Sequence, residues 1–128
     1  MSRGAQKIRD ILERSNLAYQ TEFTPSKLSS FKNKPLRFDF AIIHNGQLIF
    51  IEYDGEQHFK YIPYFHKTKQ QFSNAKGRDR HKNNYALAHR IPLYRIPYFE
   101  IDNVNSIDDL LNPKYRVTSI YHNDRLMH

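Results

Sequence analysis

Apolar positions set the element boundaries before any chemistry is considered. Ile8, Ile11 and Leu12 recur at i, i+3 and i+4, which predicts a helix over residues 5–15 with Asn16 as its stop. Tyr19 to Phe23 alternates, with Tyr19, Thr21 and Phe23 on one face and Gln20 and Glu22 on the other, and predicts a short strand. Thr24 to Pro35 is rich in Ser, Lys and Pro and reads as a loop. Arg37–Ile43 and Leu48–Asp54 are two β-rich runs separated by Asn45-Gly46, the preferred centre of a two-residue hairpin because both central positions need positive φ. Ile49, Phe50 and Ile51 are consecutive apolar residues, so the second strand is expected to be covered on both faces.

A long basic segment, 65–89, has helical character at least from Arg78, with Gly77 as an expected interruption. Ile91 to Tyr98 reads as a strand that Pro92 and Pro97 confine to an edge or fray at its ends. Ser106 to Leu111 fits a short helix with Ser106 as N-cap and Asp108 and Asp109 in its first turn. The stretch after Pro113 fits no single element. The order helix, strand, hairpin, helix, strand, helix predicts an α/β fold, a mixed sheet with helices on its faces.

The 128 residues are the size of one domain, residues 1–128. No run approaches the length of a membrane span, and the opening Met1-Ser2-Arg3-Gly4 lacks the apolar segment of a secretory signal. Cysteine is absent, which excludes disulfides and thiolate metal sites and fits a reducing, cytoplasmic setting.

Charge changes the picture more. The formal net charge is +7. Between Lys60 and Arg95 there are nine Lys or Arg and one acid, Asp79. A solvated surface is one reading; a phosphate-binding face is the other, because Lys and Arg that neutralise phosphates release counterions. Arg37, Lys60, Lys67, Lys69, Lys76, Arg78, Arg80 and Arg95 are the candidate contacts. Tyr61, Tyr64, Phe65 and Phe72 interleave with this basic segment and are suited to packing on sugars or bases.

The hairpin organises the acids. A turn at 45 and 46 pairs 44 with 47, so Asp39 falls opposite Glu52 and Arg37 opposite Asp54. Opposed residues and residues two apart share a face, which gathers Asp39, Glu52 and Asp54. Two carboxylates about 5 Å apart repel by roughly 3 kcal/mol at an effective dielectric near 20. A divalent cation removes that cost, and Mg²⁺ accepts one or two carboxylates plus water and substrate phosphate. A salt-bridge network with Arg37 and nearby lysines is the alternative. Gly55 permits a sharp turn after the strand and brings His58 beside the acids, where imidazole can exchange a proton near neutral pH. Asp79, Lys82 and Asn83 share one helix face, so Lys82 could hold a phosphate and Asp79 could orient His58 or Lys82; a wet surface ion pair is the alternative.

Four motifs together resemble a nuclease family: Arg37-Phe38-Asp39-Phe40; Ile51-Glu52-Tyr53-Asp54-Gly55-Glu56-Gln57-His58; Arg78-Asp79 through Lys82-Asn83-Asn84-Tyr85; and Leu93-Tyr94-Arg95-Ile96-Pro97-Tyr98. The family is the restriction-endonuclease-like PD-(D/E)xK superfamily, in the branch of very-short-patch repair endonucleases and phage or intron-associated EDxHD homing endonucleases. The resemblance implies a central mixed sheet flanked by helices, Mg²⁺ or Mn²⁺, and hydrolysis of DNA phosphodiesters. It implies a metal-binding role for Asp39, the acid of the (D/E)xK pair at Glu52, a general base at His58, and the branch's later aspartate at Asp79. Asp54 stands where many relatives carry lysine, which passes that role to His58 or Lys82. Relatives carry a glutamate in the first helix where this chain has Ala5, in Ser2-Arg3-Gly4-Ala5-Gln6, so either Glu13 or Glu22 substitutes or activity is weakened or lost, leaving a silent DNA-binding module. Sequence choice is expected from a homodimer, a partner protein or the Thr24–Pro35 loop. A phage-encoded relative of this type would act in the host cytoplasm.

Overall fold

Helix α1, Arg3–Arg14, begins where Ser2 accepts a hydrogen bond from the Ala5 amide (3.2 Å) and ends before Asn16, whose φ of 55° closes it in the left-handed region. Ile8, Ile11 and Leu12 are buried, as the periodicity predicts. The computed structural model describes residues 1–25 and 30–126. The middle of the predicted Thr24–Pro35 loop lies outside the described residues. The remainder of that loop is not all irregular: β2 (Ser30–Phe31) and β3 (Lys34–Pro35) form a small hairpin.

The main sheet joins β1 (Tyr19–Phe23), β4 (Phe38–His44), β5 (Gln47–Asp54) and β6 (Leu93–Pro97) in the order β1-β4-β5-β6. The first three run antiparallel, and β6 lies parallel to β5 after the crossover through α2, Lys69–Ala88. The protein is therefore a mixed α/β fold with a central mixed sheet flanked by helices. Asn45 and Gly46 adopt φ of 52° and 74°, the two positive values that the tight turn needs.

One face of the sheet packs Phe40, Ile42, Ile49, Ile51 and Ile96 against Ile8, Ile11 and Leu12 of α1 and Leu110 of α3 (Ile107–Leu110). The other packs Phe38, Ala41, Phe50 and Leu93 against Ala86 of α2 and Val117. The Ile49-Phe50-Ile51 run is thus covered on both sides. β6 is an edge strand, as its prolines predict, yet it is buried throughout. Its outer edge is closed by a bridge from Tyr94 to Arg116 and a hydrogen bond from the Val117 amide to the Leu93 carbonyl.

Gly77 does not interrupt α2. A side chain there would meet Phe31 of β2 at 2.8 Å, so the glycine makes room for a neighbour. Gly55 does not use its conformational freedom: its φ is −67°, and the turn is made by the following 3-10 segment, Glu56–His58. Among the described residues no helix is long and apolar enough to cross a membrane.

Candidate active site

The hairpin ladder follows the predicted register from His44↔Gln47 to Phe40↔Ile51 and then changes character. Beyond that pair the Asp39 carboxylate accepts a hydrogen bond from the Tyr53 amide (2.9 Å). Phe40 enters one core and Phe38 the other, where it stacks on Phe50 with ring centroids 4.1 Å apart. β1 makes a matching break: Glu22 has φ 50°, Tyr19 packs on one core, and Phe23 packs on the other. Tyr19 and Phe23 therefore do not share the single face that alternation predicts. The predicted opposition of Arg37 and Asp54 does not form either; Arg37 is exposed, whereas Asp54 is 0% exposed and bound to Arg95.

Asp39 and Glu52 do meet. Burial, then the adjacent Glu52 carboxylate, raises the Asp39 pKa to about 7, while the Tyr53 amide and Lys82 act the other way. Lys82 reaches from α2 to place its Nζ 2.9 Å from Glu52 Oε1, and lies over the Phe38 ring. Burial pushes the Lys82 pKa down and Arg95 adds to this, but Glu52 and Asp79 together outweigh them and the net direction is upward, so Lys82 carries its charge.

A cleft of about 910 Å³ opens over these groups, lined by Asp39, Glu52, Lys82, His58, Ala5 and Glu22 among others. The cleft sits beside the carboxyl end of β5, where the parallel strand meets its crossover, a common position for ligand sites in α/β sheets. Ala5 therefore lines the same cleft as Asp39 and Glu52. Of the two acids considered as substitutes, Glu22 lines the cleft, whereas Glu13 is engaged by Tyr19 (2.6 Å) and Arg9 (3.5 Å).

His58 is held by Asp79, Nδ1 to Oδ2 2.8 Å, with Asp54 Oδ1 at 3.6 Å. Burial lowers its pKa, but the Asp54 charge and the Asp79 hydrogen bond dominate, with Arg95 opposing them, and the result is about 9. Such a histidine carries its second proton at neutral pH, whereas the base role that the resemblance implies needs the neutral imidazole. Asp79 is held below the usual carboxylate range by Arg95 and His58 despite its burial.

Arg95 is the residue that sequence reasoning placed least well. It is 1% exposed and cannot contact DNA in this fold. Its Nη1 binds Asp54 Oδ1 (2.8 Å), its Nε donates to Asn83 Oδ1 (2.7 Å), and its Nη2 donates to the Asp79 carbonyl (3.2 Å). Asp54 is correspondingly withdrawn: its other oxygen accepts from Asn123 (3.1 Å), and it is not part of the cleft lining. The candidate metal ligands narrow from three carboxylates to Asp39 and Glu52. Among the described residues no group of three or more His, Cys, Asp or Glu is placed to hold a metal. The two acids supply a hard, oxygen-only donor pair, and Asp39 keeps its proton to about pH 7, first because it is buried and then because Glu52 lies beside it.

Of the other basic residues, Arg37, Lys67 and Lys69 are exposed, Lys60 pairs with Glu56 (3.0 Å), and Arg78 is partly buried. Lys76 and Arg80 are held by Asp124, at 3.2 and 2.9 Å. Asn123 and Asp124 were outside any sequence expectation, since no periodicity or motif marks the end of the chain.

The chain matches no family model and no solved structure. Over 92 residues it is 29% identical to a protein of Invertebrate iridescent virus 6 named Uncharacterized protein 307L, an alignment covering 72% of this chain and 47% of the viral protein. The chain thus spans about half the length of the curated relative it matches.

Proposed function

We propose that this protein is a metal-dependent DNA endonuclease with a restriction-endonuclease-like core. The observation that carries the reading is the convergence of Asp39, Glu52 and Lys82 in one cleft with the His58–Asp79 pair. The salt-bridge network is the alternative: Lys82 and the charge of Arg95 both act on Asp39 and Glu52, and even so Asp39 keeps its proton to about pH 7.

Asp39 and Glu52 would hold Mg²⁺ or Mn²⁺, which when bound neutralises phosphate charge and lowers the pKa of a coordinated water. Lys82 brings a desolvated positive charge to the cleft, suited to a scissile phosphate or to the charge that grows on it in the transition state. In hydrolysis the water oxygen bonds to phosphorus as the ester P–O bond breaks. The departing oxygen takes its proton from the His58 imidazolium, and the proton lost by the water passes to solvent. Asp79 keeps His58 charged and oriented for that donation. The exposed Arg37, Lys67 and Lys69 are available for phosphate contacts.

Ala5 favours a second reading, a nucleic-acid-binding module that has lost its chemistry, since the cleft lacks the carboxylate that relatives place there. The deciding experiment incubates supercoiled, linear, branched and mismatched DNA with the protein in Mg²⁺, Mn²⁺ or EDTA. Metal-dependent nicking that disappears in Asp39→Ala supports the nuclease; salt-sensitive binding without cutting in either metal supports the silent module.

A further inference from the structure

Behind the cleft the C-terminal segment makes three separate attachments. The Ile120 carbonyl accepts from Asn83 Nδ2 (2.9 Å). Asn123 Nδ2 donates to Asp54 Oδ2 (3.1 Å). Asp124 binds Lys76 and Arg80 of α2. Asn83 and Asp54 are two of the three residues that hold the Arg95 guanidinium, so the segment joins the network around this buried arginine.

The network bears directly on His58. Asp54 Oδ1 faces both Arg95 Nη1 (2.8 Å) and His58 Nδ1 (3.6 Å). Asp79 is steered by Arg95 through its carbonyl and, at 3.7 Å, its carboxylate. The Asp54 carboxylate keeps one oxygen toward Arg95 and His58 because the other has a donor of its own in Asn123. Without that donor, Asp54 gains by rotating to give both oxygens to the guanidinium, the bidentate geometry that arginine favours. That rotation draws the charge away from His58 and frees Arg95 to shift against Asp79.

Asn123 is costly to bury. It is 5% exposed, and its Oδ1 has no hydrogen-bond partner among the described residues. Turning the amide over would bring that oxygen against the Asp54 carboxylate, so the orientation is fixed by charge.

We propose that Asn123 is a positioning residue that sets the His58–Asp79 pair through Asp54 and Arg95, with residues 120–124 acting as its clamp. The inference rests on the nuclease reading for its catalytic meaning, but its geometry is testable without catalysis. In metal-free protein at pH 7, the His58 Nδ1 proton held by Asp79 is followed by its downfield resonance. In Asn123→Ala we expect that resonance to exchange at least about tenfold faster with water, as the pair opens more often. Asp124→Ala, a change at a partly exposed site, loosens the clamp from α2 and should move the same signal in the same direction by less. In an active enzyme Asn123→Ala lowers kcat with little change in KM. An Asn123→Ala protein with a native melt and an unchanged His58 resonance overturns the proposal. If Asn123→Ala fails to fold, Asp124→Ala decides: faster exchange at His58 supports the clamp, and an unchanged His58 signal overturns it. Absence of DNA cleavage by the parent protein would count against the nuclease and leave the resonance test intact.

Discussion

Lys82 on α2 and Glu52 on β5 are joined at 2.9 Å with little exposure on either side, so a helix side chain neutralises the acid that a strand delivers to the cleft. Replacing Lys82 by Met leaves two buried carboxylates facing each other with no cation. Breaking a buried pair by removing one partner costs about 3 to 5 kcal/mol. We expect Lys82→Met to lower the melting temperature of the metal-free protein and Mg²⁺ to restore more of it than in the parent. Cleavage should fall about a hundredfold, the scale for losing one charge-stabilising group. Melts with and without Mg²⁺, alongside plasmid nicking, check both effects.

On the proposed reading, the proton on Asp39 would compete with a metal ion. Its pKa is raised from 3.8 to about 7, so its protonated form stabilises the metal-free fold. That contribution is complete below about pH 4 and is lost as pH rises through about 7. A cation needs the ionised form, so binding strengthens over the same upper range. We expect Mn²⁺ to bind about tenfold more weakly at pH 6 than at pH 8, with release of about one proton at pH 6 falling to about half a proton at pH 7. Calorimetry in buffers of different ionisation enthalpy measures both, and an affinity flat across this range removes Asp39 from the ligand set.

Ala5 lines the cleft that Asp39 and Glu52 share. Ala5→Glu should therefore add a third carboxylate to the donor set and raise metal-dependent cleavage. It should also tighten Mn²⁺ binding, which can be read without turnover. An unchanged rate and an unchanged affinity together would take position 5 out of the site.

Gly4 lies on the same helix where it crosses β5, and a side chain there would overlap the Tyr53 ring. Gly4→Ala must push α1 or Tyr53 aside, a strain of about 1–3 kcal/mol. We expect a lower melting temperature and, because Tyr53 also lines the cleft, weaker metal binding. A variant as stable as the parent would show that α1 is not packed this closely.

Local patterns carried most of the fold. The Asn45-Gly46 turn fixed the register of β4 on β5, and through it the meeting of Asp39 with Glu52, because turn chemistry and alternation are both short-range. The i, i+3, i+4 spacing of Asp79, Lys82 and Asn83 marked a helix face that turns toward the sheet. What alternation could not reveal is the break at Glu22 and Asp39, where a positive φ and a side-chain hydrogen bond interrupt the ladder. Nor could it reveal that Arg95 lies inward. An arginine in a basic stretch reads as surface until its buried partners, Asp54, Asn83 and Asp79, are known, and each of these comes from a different part of the chain. Asn123 is 69 residues from the acid it serves, so its role is visible only in three dimensions.

On the proposed reading, that division predicts how DNA binding would respond to salt. Lys67 and Lys69 are exposed at the start of α2, whereas Arg95 is buried. Each phosphate contact adds about 0.9 to the slope of log affinity against log salt. Lys67→Ala combined with Lys69→Ala should therefore reduce the slope by about 1 to 2 and leave the melt unchanged. Arg95→Met should instead destabilise the protein by about 3 kcal/mol or more, because Asp54 and Asp79 lose their shared cation. Whatever fraction of that variant remains folded should keep the parent slope. Anisotropy titrations between 50 and 200 mM salt separate the outcomes. A lysine pair that leaves the slope untouched would move the phosphate track off this part of the surface. A folded Arg95→Met protein with a reduced slope would mean that the arginine reaches DNA after all.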